Sequence, residues 1–96
     1  MIKHVVLFKL TENNPKNIEK AVTALNGMAN KIEPLRQIEV GINFNRSERS
    51  YDIALITHFD NRKGLEMYSD HPVHKPVKDT ISDLCSSTVV VDYETR

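Results

Sequence analysis

The stretch YSDHPVHKPV, Tyr68 to Val77, sets two histidines three residues apart behind a tyrosine, with prolines at 72 and 76. Imidazole changes charge closest to neutral pH, so a half-buried histidine can take or deliver a proton. Counted along a helix, Val77, Ile81 and Leu84 lie three, seven and ten residues beyond His74. His74 therefore shares the apolar face that such a helix turns toward a sheet. Tyr68, across the proline break, can supply a phenolic hydroxyl. Tyr68 and His74 are thus a candidate catalytic acid–base pair. The same spacing equally suits a core histidine bonded to a backbone carbonyl, beside a tyrosine that only packs.

His71 stands directly before Pro72. It can start the second helical piece, with Pro72 at the first helical position where a missing N–H costs nothing, or it can contact a bound substrate. The start of that helix is open between Pro72 and Pro76. His4 shares one side of its segment with Ile2, Val6 and Phe8, so it can contact a substrate between sheet and helix, or pack within the sheet. His58 falls in register with Asp52, Ala54 and Ile56. A metal site drawn from Asp70, His71 and His74 lacks histidines at i, i+4 on an unbroken helix. The sequence has no G-x-S-x-G, no Gly-rich phosphate loop and no Cys–His nucleophile arrangement. The expectation is chemistry without a cofactor or metal.

These residues need elements to hold them. Ile2 to Leu10 carries apolar side chains on both sides of its middle, the mark of a strand covered on both faces. Asn14 followed by Pro15 starts a helix whose apolar positions Ile18, Val22, Leu25, Met28 and Ile32 run toward Pro34. Ile38, Val40, Ile42 and Phe44 alternate with Gln37, Glu39, Gly41 and Asn43 in a strand with one wetter face. The polar connection Asn45 to Ser50 leads into a strand from Tyr51 to Phe59, so the two form a hairpin. Asp60 can cap a helix holding Leu65 and Tyr68, and Cys85 reads as core on the end of the next helix. Thr88 to Tyr93 closes the chain as a β-branched strand.

The order β-α-β-β-α-β predicts an α+β, ferredoxin-like protomer: a four-stranded antiparallel sheet with its helices on one face. The first and last strands are apolar on both sides, so the uncovered sheet face must find a second copy. The expectation is a homodimer packed sheet to sheet.

Composition narrows the class. With 96 residues the chain is a single domain over 1–96, whose core is thin at this size. Thirteen basic and thirteen acidic residues cancel, without a basic stripe for nucleic acid. The one cysteine, Cys85, cannot close an internal disulfide, which suits a reducing cytoplasm. Lys3, His4 and Lys9 interrupt the N-terminal apolar run, so no signal peptide or membrane span is expected.

The opening IKHVVLFKL together with Y-x-x-H-P-x-H over Tyr68 to His74 resembles the stress-responsive dimeric α/β-barrel (Dabb) family, from Ile2 to about Tyr93. The resemblance implies a ferredoxin-like protomer whose sheet packs on its partner's to enclose a barrel. Many members are described only as stress-responsive. One similar group, the plant olivetolic acid cyclases, closes linear polyketides by aldol condensation without a cofactor. Their catalytic tyrosine and histidine fall on Tyr68 and His74, and their first-strand pocket histidine on His4. Ile53 stands where they carry a further histidine, and Val22, Leu25 and Met28 replace the aromatic lining of their first helix. The motif is kept and the pocket differs. The implied readings are a cofactor-free enzyme of aldol, cyclase or isomerase type on a small carbonyl compound, and a non-catalytic dimer that binds a small hydrophobic ligand or has a stress-related structural role. A haem-degrading or quinol-oxidising monooxygenase shares the barrel, but the Y-x-x-H-P-x-H motif argues against it.

Overall fold

The computed structural model describes residues 1–95. Seven elements follow in order: β1 (Ile2–Leu10), α1 (Pro15–Asn26), β2 (Gln37–Ile42), β3 (Ile53–Phe59), α2 (Arg62–Ser69), α3 (His74–Leu84) and β4 (Cys85–Glu94). The strands form one antiparallel sheet in the order β2-β3-β1-β4. This is the ferredoxin-like βαββαβ arrangement, with its second helix broken in two. No helix among the described residues is long and apolar enough to cross a membrane.

Alternation decides the two faces. Ile2, Phe8 and Leu10 of β1 join Ile53, Leu55 and Phe59 of β3 in one buried cluster with Leu25, Tyr68 and Ile81 from the helices. Every one of these strand positions points toward the helices, as a period of two requires. Thr57, fully buried in the same row, donates from its hydroxyl to the His4 carbonyl at 3.4 Å. The opposite face carries Lys3, Val5, Leu7 and Lys9 on β1, Ala54, Ile56 and His58 on β3, and Val89, Val91 and Tyr93 on β4. No helix covers it. Val89, Val91 and Tyr93 are exposed there, and His58 keeps a buried Nδ1 with no hydrogen-bond partner.

Asn14 caps α1 as its sequence indicates, accepting from the Asn17 N–H at 2.8 Å with Pro15 in the first turn. The helix ends at Asn26, well before the expected Pro34. Gly27 caps it, and Asn30 takes a left-handed φ of 63°, a conformation asparagine tolerates better than most residues. Met28 and Ile32 remain buried, but on a run of turns rather than a helix. β2 stops at Ile42, so Phe44 lies beyond it and is 99% exposed.

Asp60 does not cap α2. Asn61 does, accepting from the Gly64 N–H at 2.9 Å, while Asp60 pairs with Arg36 at 2.8 Å. α3 begins at His74, between the two prolines. Pro72 sits in the preceding turn, closed by a bond from the His74 N–H to the His71 carbonyl at 3.0 Å. Pro76 occupies the first turn of α3, where N–H groups have no intrahelical partner in any case. Cys85 opens β4 instead of closing a helix, so that strand starts three residues before the expected Thr88.

One carboxylate pins the junction of β1 with the β2–β3 connection. Asp52 accepts from the Leu10 N–H through Oδ2 and from the Asn13 side-chain amide through Oδ1, each at 2.7 Å. Asp52→Ala leaves the Leu10 amide, on a buried residue, without that partner. We expect it to lower stability by about 1–3 kcal/mol in urea unfolding, the cost of orphaning a buried donor. An unchanged midpoint would refute this account of the junction.

Candidate functional site

Three elements converge above the helix-facing side of the sheet. β1 presents His4, α2 presents Tyr68 in its last turn, and α3 presents His74 as its first residue. The break at Asp70–Val73 makes this possible, because on a continuous helix two residues six apart point about 120° away from each other. The Tyr68 and His74 rings lie 4.4 Å apart between centroids, and those of Tyr68 and His4 6.0 Å apart, edge to face. Phe59 supports Tyr68 from β3 at 5.1 Å.

These side chains border a cavity of about 540 Å³ between the sheet and α3. Val6, Phe8, Leu25, Met28, Leu55 and Ile81 supply apolar walls, and Ser82, Ser86, Ser87 and Thr88 a hydroxyl-bearing rim. Lys78 also reaches it, and no described lining residue is acidic. An apolar chamber with a few convergent polar groups is the usual form of a small-molecule site.

Hydrogen bonds fix the imidazoles. His74 Nδ1 lies 3.2 Å from the Ser69 carbonyl, which can only accept, so the neutral ring carries its proton on Nδ1 and leaves Nε2 with a free lone pair. His4 Nδ1 donates to the Asp92 carboxylate from β4, fixing the second ring in the same tautomer. Desolvation pulls the His74 pKa below the ordinary histidine value, outweighing the Ser69 carbonyl, and Lys78, His4 and His71 lower it further by charge repulsion. Burial pushes the Tyr68 phenol up to about 12. Its hydroxyl donates to the Met28 sulfur at 3.7 Å, a weak acceptor. Near neutral pH this corner therefore holds an unprotonated imidazole nitrogen and an undissociated phenol.

The sequence-predicted residues separate here. His4, Tyr68 and His74 share the cavity, and His71 does not line it. The His71 ring accepts from the Val73 N–H at 3.1 Å and organises the turn before α3. Ile53 lies in the core, 1% exposed, away from the lining. Among the described residues no three histidine, cysteine, aspartate or glutamate side chains gather as metal ligands. Asp92 and the serine-rich rim escaped the sequence reading. Asp92 sits two residues beyond Val90 on the same side of β4, but its pairing opposite His4 depends on a strand register that the sequence does not state. Cys85 also borders the cavity, with burial and then Asp52 raising its thiol pKa, which disfavours the thiolate.

Comparison with known proteins places the fold. A dimeric protein of unknown function with a ferredoxin-like fold from Bacteroides fragilis NCTC 9343 is 34% identical over 98% of this chain and 95% of its own, with a TM-score of 0.85. A dimeric ferredoxin-like protein of unknown function from Thermobifida fusca YX is 26% identical over 98% and 90%, at a TM-score of 0.87. The hydroxynitrile lyase of Passiflora edulis shares the fold at a TM-score of 0.85 over 99% and 93%, with 13% identity. No curated protein matches the chain. The family model described as the Stress responsive A/B Barrel Domain, Dabb, matches residues 2–95, and with that span covering the whole βαββαβ unit the chain belongs to this family.

Proposed function

We propose that the protein is a homodimeric, cofactor-free acid–base enzyme acting on a small, largely apolar carbonyl compound. The observation that carries the proposal is the fixed His74 tautomer, with Nε2 free beside Tyr68 on a cavity of about 540 Å³. In this scheme His74 Nε2 removes a proton from the carbon next to the carbonyl. The electron pair moves onto the carbonyl oxygen, and the Tyr68 hydroxyl exchanges its weak sulfur acceptor for that developing oxyanion. The enolate carbon then either attacks a second carbonyl, whose alkoxide recovers the proton from the His74 imidazolium, or is reprotonated elsewhere in an isomerisation. His4, oriented by Asp92, faces the same chamber as a contact for the substrate's polar end. His71 supports α3 entry and has no direct part. A positioned base supplies roughly 10²–10⁴-fold, enough for a substrate already activated by its own carbonyls.

A second reading, a non-catalytic ligand-binding dimer, is favoured by one observation. Tyr68 is only 1% exposed and its hydroxyl already has an acceptor in Met28, which is how a purely packing tyrosine behaves.

The dimer follows from the uncovered sheet face. Its valines and leucine need a partner. Relatives at 34% and 26% identity are described as dimeric. Packing two such faces encloses a barrel between the copies.

We expect sedimentation at micromolar concentration to give about twice the 11.0 kDa chain mass. A charge on that face, as in Leu7→Glu, should yield aggregated or unfolded chain, and a well-folded monomer in either experiment would remove the dimer. With a turned-over carbonyl compound, found by thermal-shift screening of metabolites, His74→Gln should cost about 10² or more in kcat/KM. Its stability should fall by less than about 1.5 kcal/mol. Tyr68→Phe should behave likewise, whereas full activity in both variants, or collapse of the fold in either, would leave the binding reading.

The pH dependence has a determined sign. A base whose pKa is depressed in the folded chain works unprotonated from below the ordinary value of 6.5 upward, and Tyr68 loses its proton only near 12. The rate should rise along an acid limb centred below 6.5 and then stay level to about pH 9. The same shift adds stability that is complete above 6.5 and fades as pH falls through the lowered value. An acid limb centred above 7 would exclude His74 as the base.

A further inference from the structure

The cavity is open along β4, and the apolar side chains that could close it stand at the opposite edge of the sheet. Val90 borders the cavity yet is 55% exposed, and Thr88 beside it is exposed as well. Across the sheet, Ile42 at the end of β2 is 54% exposed and Phe44 just beyond it 99%. A phenylalanine left wholly in water is the least expected feature of the surface, since large aromatics dominate buried cores and interfaces.

Register relates the two edges. Ile42 pairs with Ile53, Ile53 with Phe8, and Phe8 with Thr88, so these four residues form one row across the sheet. Suppose two copies pack through their helix-free faces about a two-fold axis parallel to the strands. Strand directions and heights are then kept while the edges exchange. The β2 edge of one copy comes beside β4 of the other, antiparallel to it, and Ile42 arrives level with Thr88. Phe44, two residues further on, arrives at the Ser86–Thr88 rim. An axis across the strands would instead join like edges with heights inverted. That would set Glu39 near its own copy, a like-charge contact, and Phe44 beside the polar Arg36–Gln37 end of the second β2. Exchanged edges also cover both exposed strand edges at once.

We propose that each functional cavity is completed by the second copy, whose Ile42–Phe44 segment lies along β4 and closes the mouth at Ser86 and Thr88. This inference rests on the sheet-to-sheet dimer proposed above and adds the pairing of edges and a residue contributed across it. The wall so formed is apolar and aromatic. It would hold the hydrophobic part of a ligand while His4, Tyr68 and His74 hold its carbonyl end.

Disulfide trapping tests it without a known ligand. In a Cys85→Ser background, Phe44→Cys is combined with Ser86→Cys and, separately, Ile42→Cys with Thr88→Cys. Within one chain β2 and β4 are three strand spacings apart, about 14 Å, against at most about 7 Å between the Cα atoms of a disulfide. Any bridge between these positions is therefore between copies. Mild oxidation should convert most of the chain in at least one pair to a covalent dimer on a non-reducing gel, running at twice 11.0 kDa. The Ser86→Cys and Thr88→Cys single variants should remain uncrosslinked. Sedimentation of the Cys85→Ser parent separates the two ideas. A dimeric parent with no bridge in either pair overturns the shared cavity and leaves the dimer standing. Crosslinking of a Glu39→Cys single variant to itself shows like edges joined and also overturns it. A monomeric parent removes both.

Discussion

The packing of one ring, Tyr68, holds the site together. It is almost wholly buried and meets Phe59 on β3, His4 on β1, His74 at the head of α3 and Met28 in the turns after α1. Four parts of the chain far apart in sequence thus take their relative positions from one aromatic surface. Aromatic pairs contribute roughly 0.5–1.5 kcal/mol beyond their area burial, and this ring makes three such contacts in a domain with a thin core. The break after α2 serves the same end. With His71 bonding the Val73 amide and Pro72 in the turn, α3 restarts with its first side chain folded back over the tyrosine.

Much of this was legible in the sequence, and what was not has a common cause. Period-two alternation gave β1 its limits, and the apolar spacing from His74 through Val77, Ile81 and Leu84 gave α3 its inward face. Local signals failed where two of them competed. Met28 and Ile32 kept helical spacing, but Gly27 and the left-handed Asn30 ended α1 first, and turns then carried both side chains into the core. Asp60 and Asn61 can each cap a helix. Arg36 drew Asp60 away and left the cap to its neighbour. For His71 the sequence offered the start of the helix, with Pro72 at its first position, and a substrate contact. Instead α3 begins at His74 with Val73 at its cap, and the His71 ring bonds the Val73 amide in the preceding turn.

The residues that sequence reading missed are those defined by pairing across the sheet. Asp92 acts on His4 through a register between the two ends of the chain, and Ser86, Ser87 and Thr88 border the cavity because β4 begins at Cys85, earlier than its β-branched run. A single sequence carries strong information within an element and little about which residue lies opposite which. The catalytic candidates were visible because they sit within seven residues of each other around a proline. The partners that orient them were not.

Burial also sets the charge state of the pair, and it does so in a consistent direction. Desolvation disfavours every charged form, so it lowers the affinity of His74 for a proton and raises that of Tyr68 for its own. A histidine base and a tyrosine donor both need to be neutral before a reaction begins. The same apolar walls that would receive a hydrophobic substrate therefore also prepare both groups, without an added ion. The imidazolium formed after proton removal would be the costly species in such a chamber. Its cost is reduced by the Ser69 carbonyl, which accepts from Nδ1 and raises the His74 pKa against the desolvation that lowers it. The enolate opposite it would bring a compensating negative charge only a short distance away, in surroundings where such an attraction is stronger than in water. The corner is therefore arranged for a pair of opposite charges created together, and poorly for either one alone.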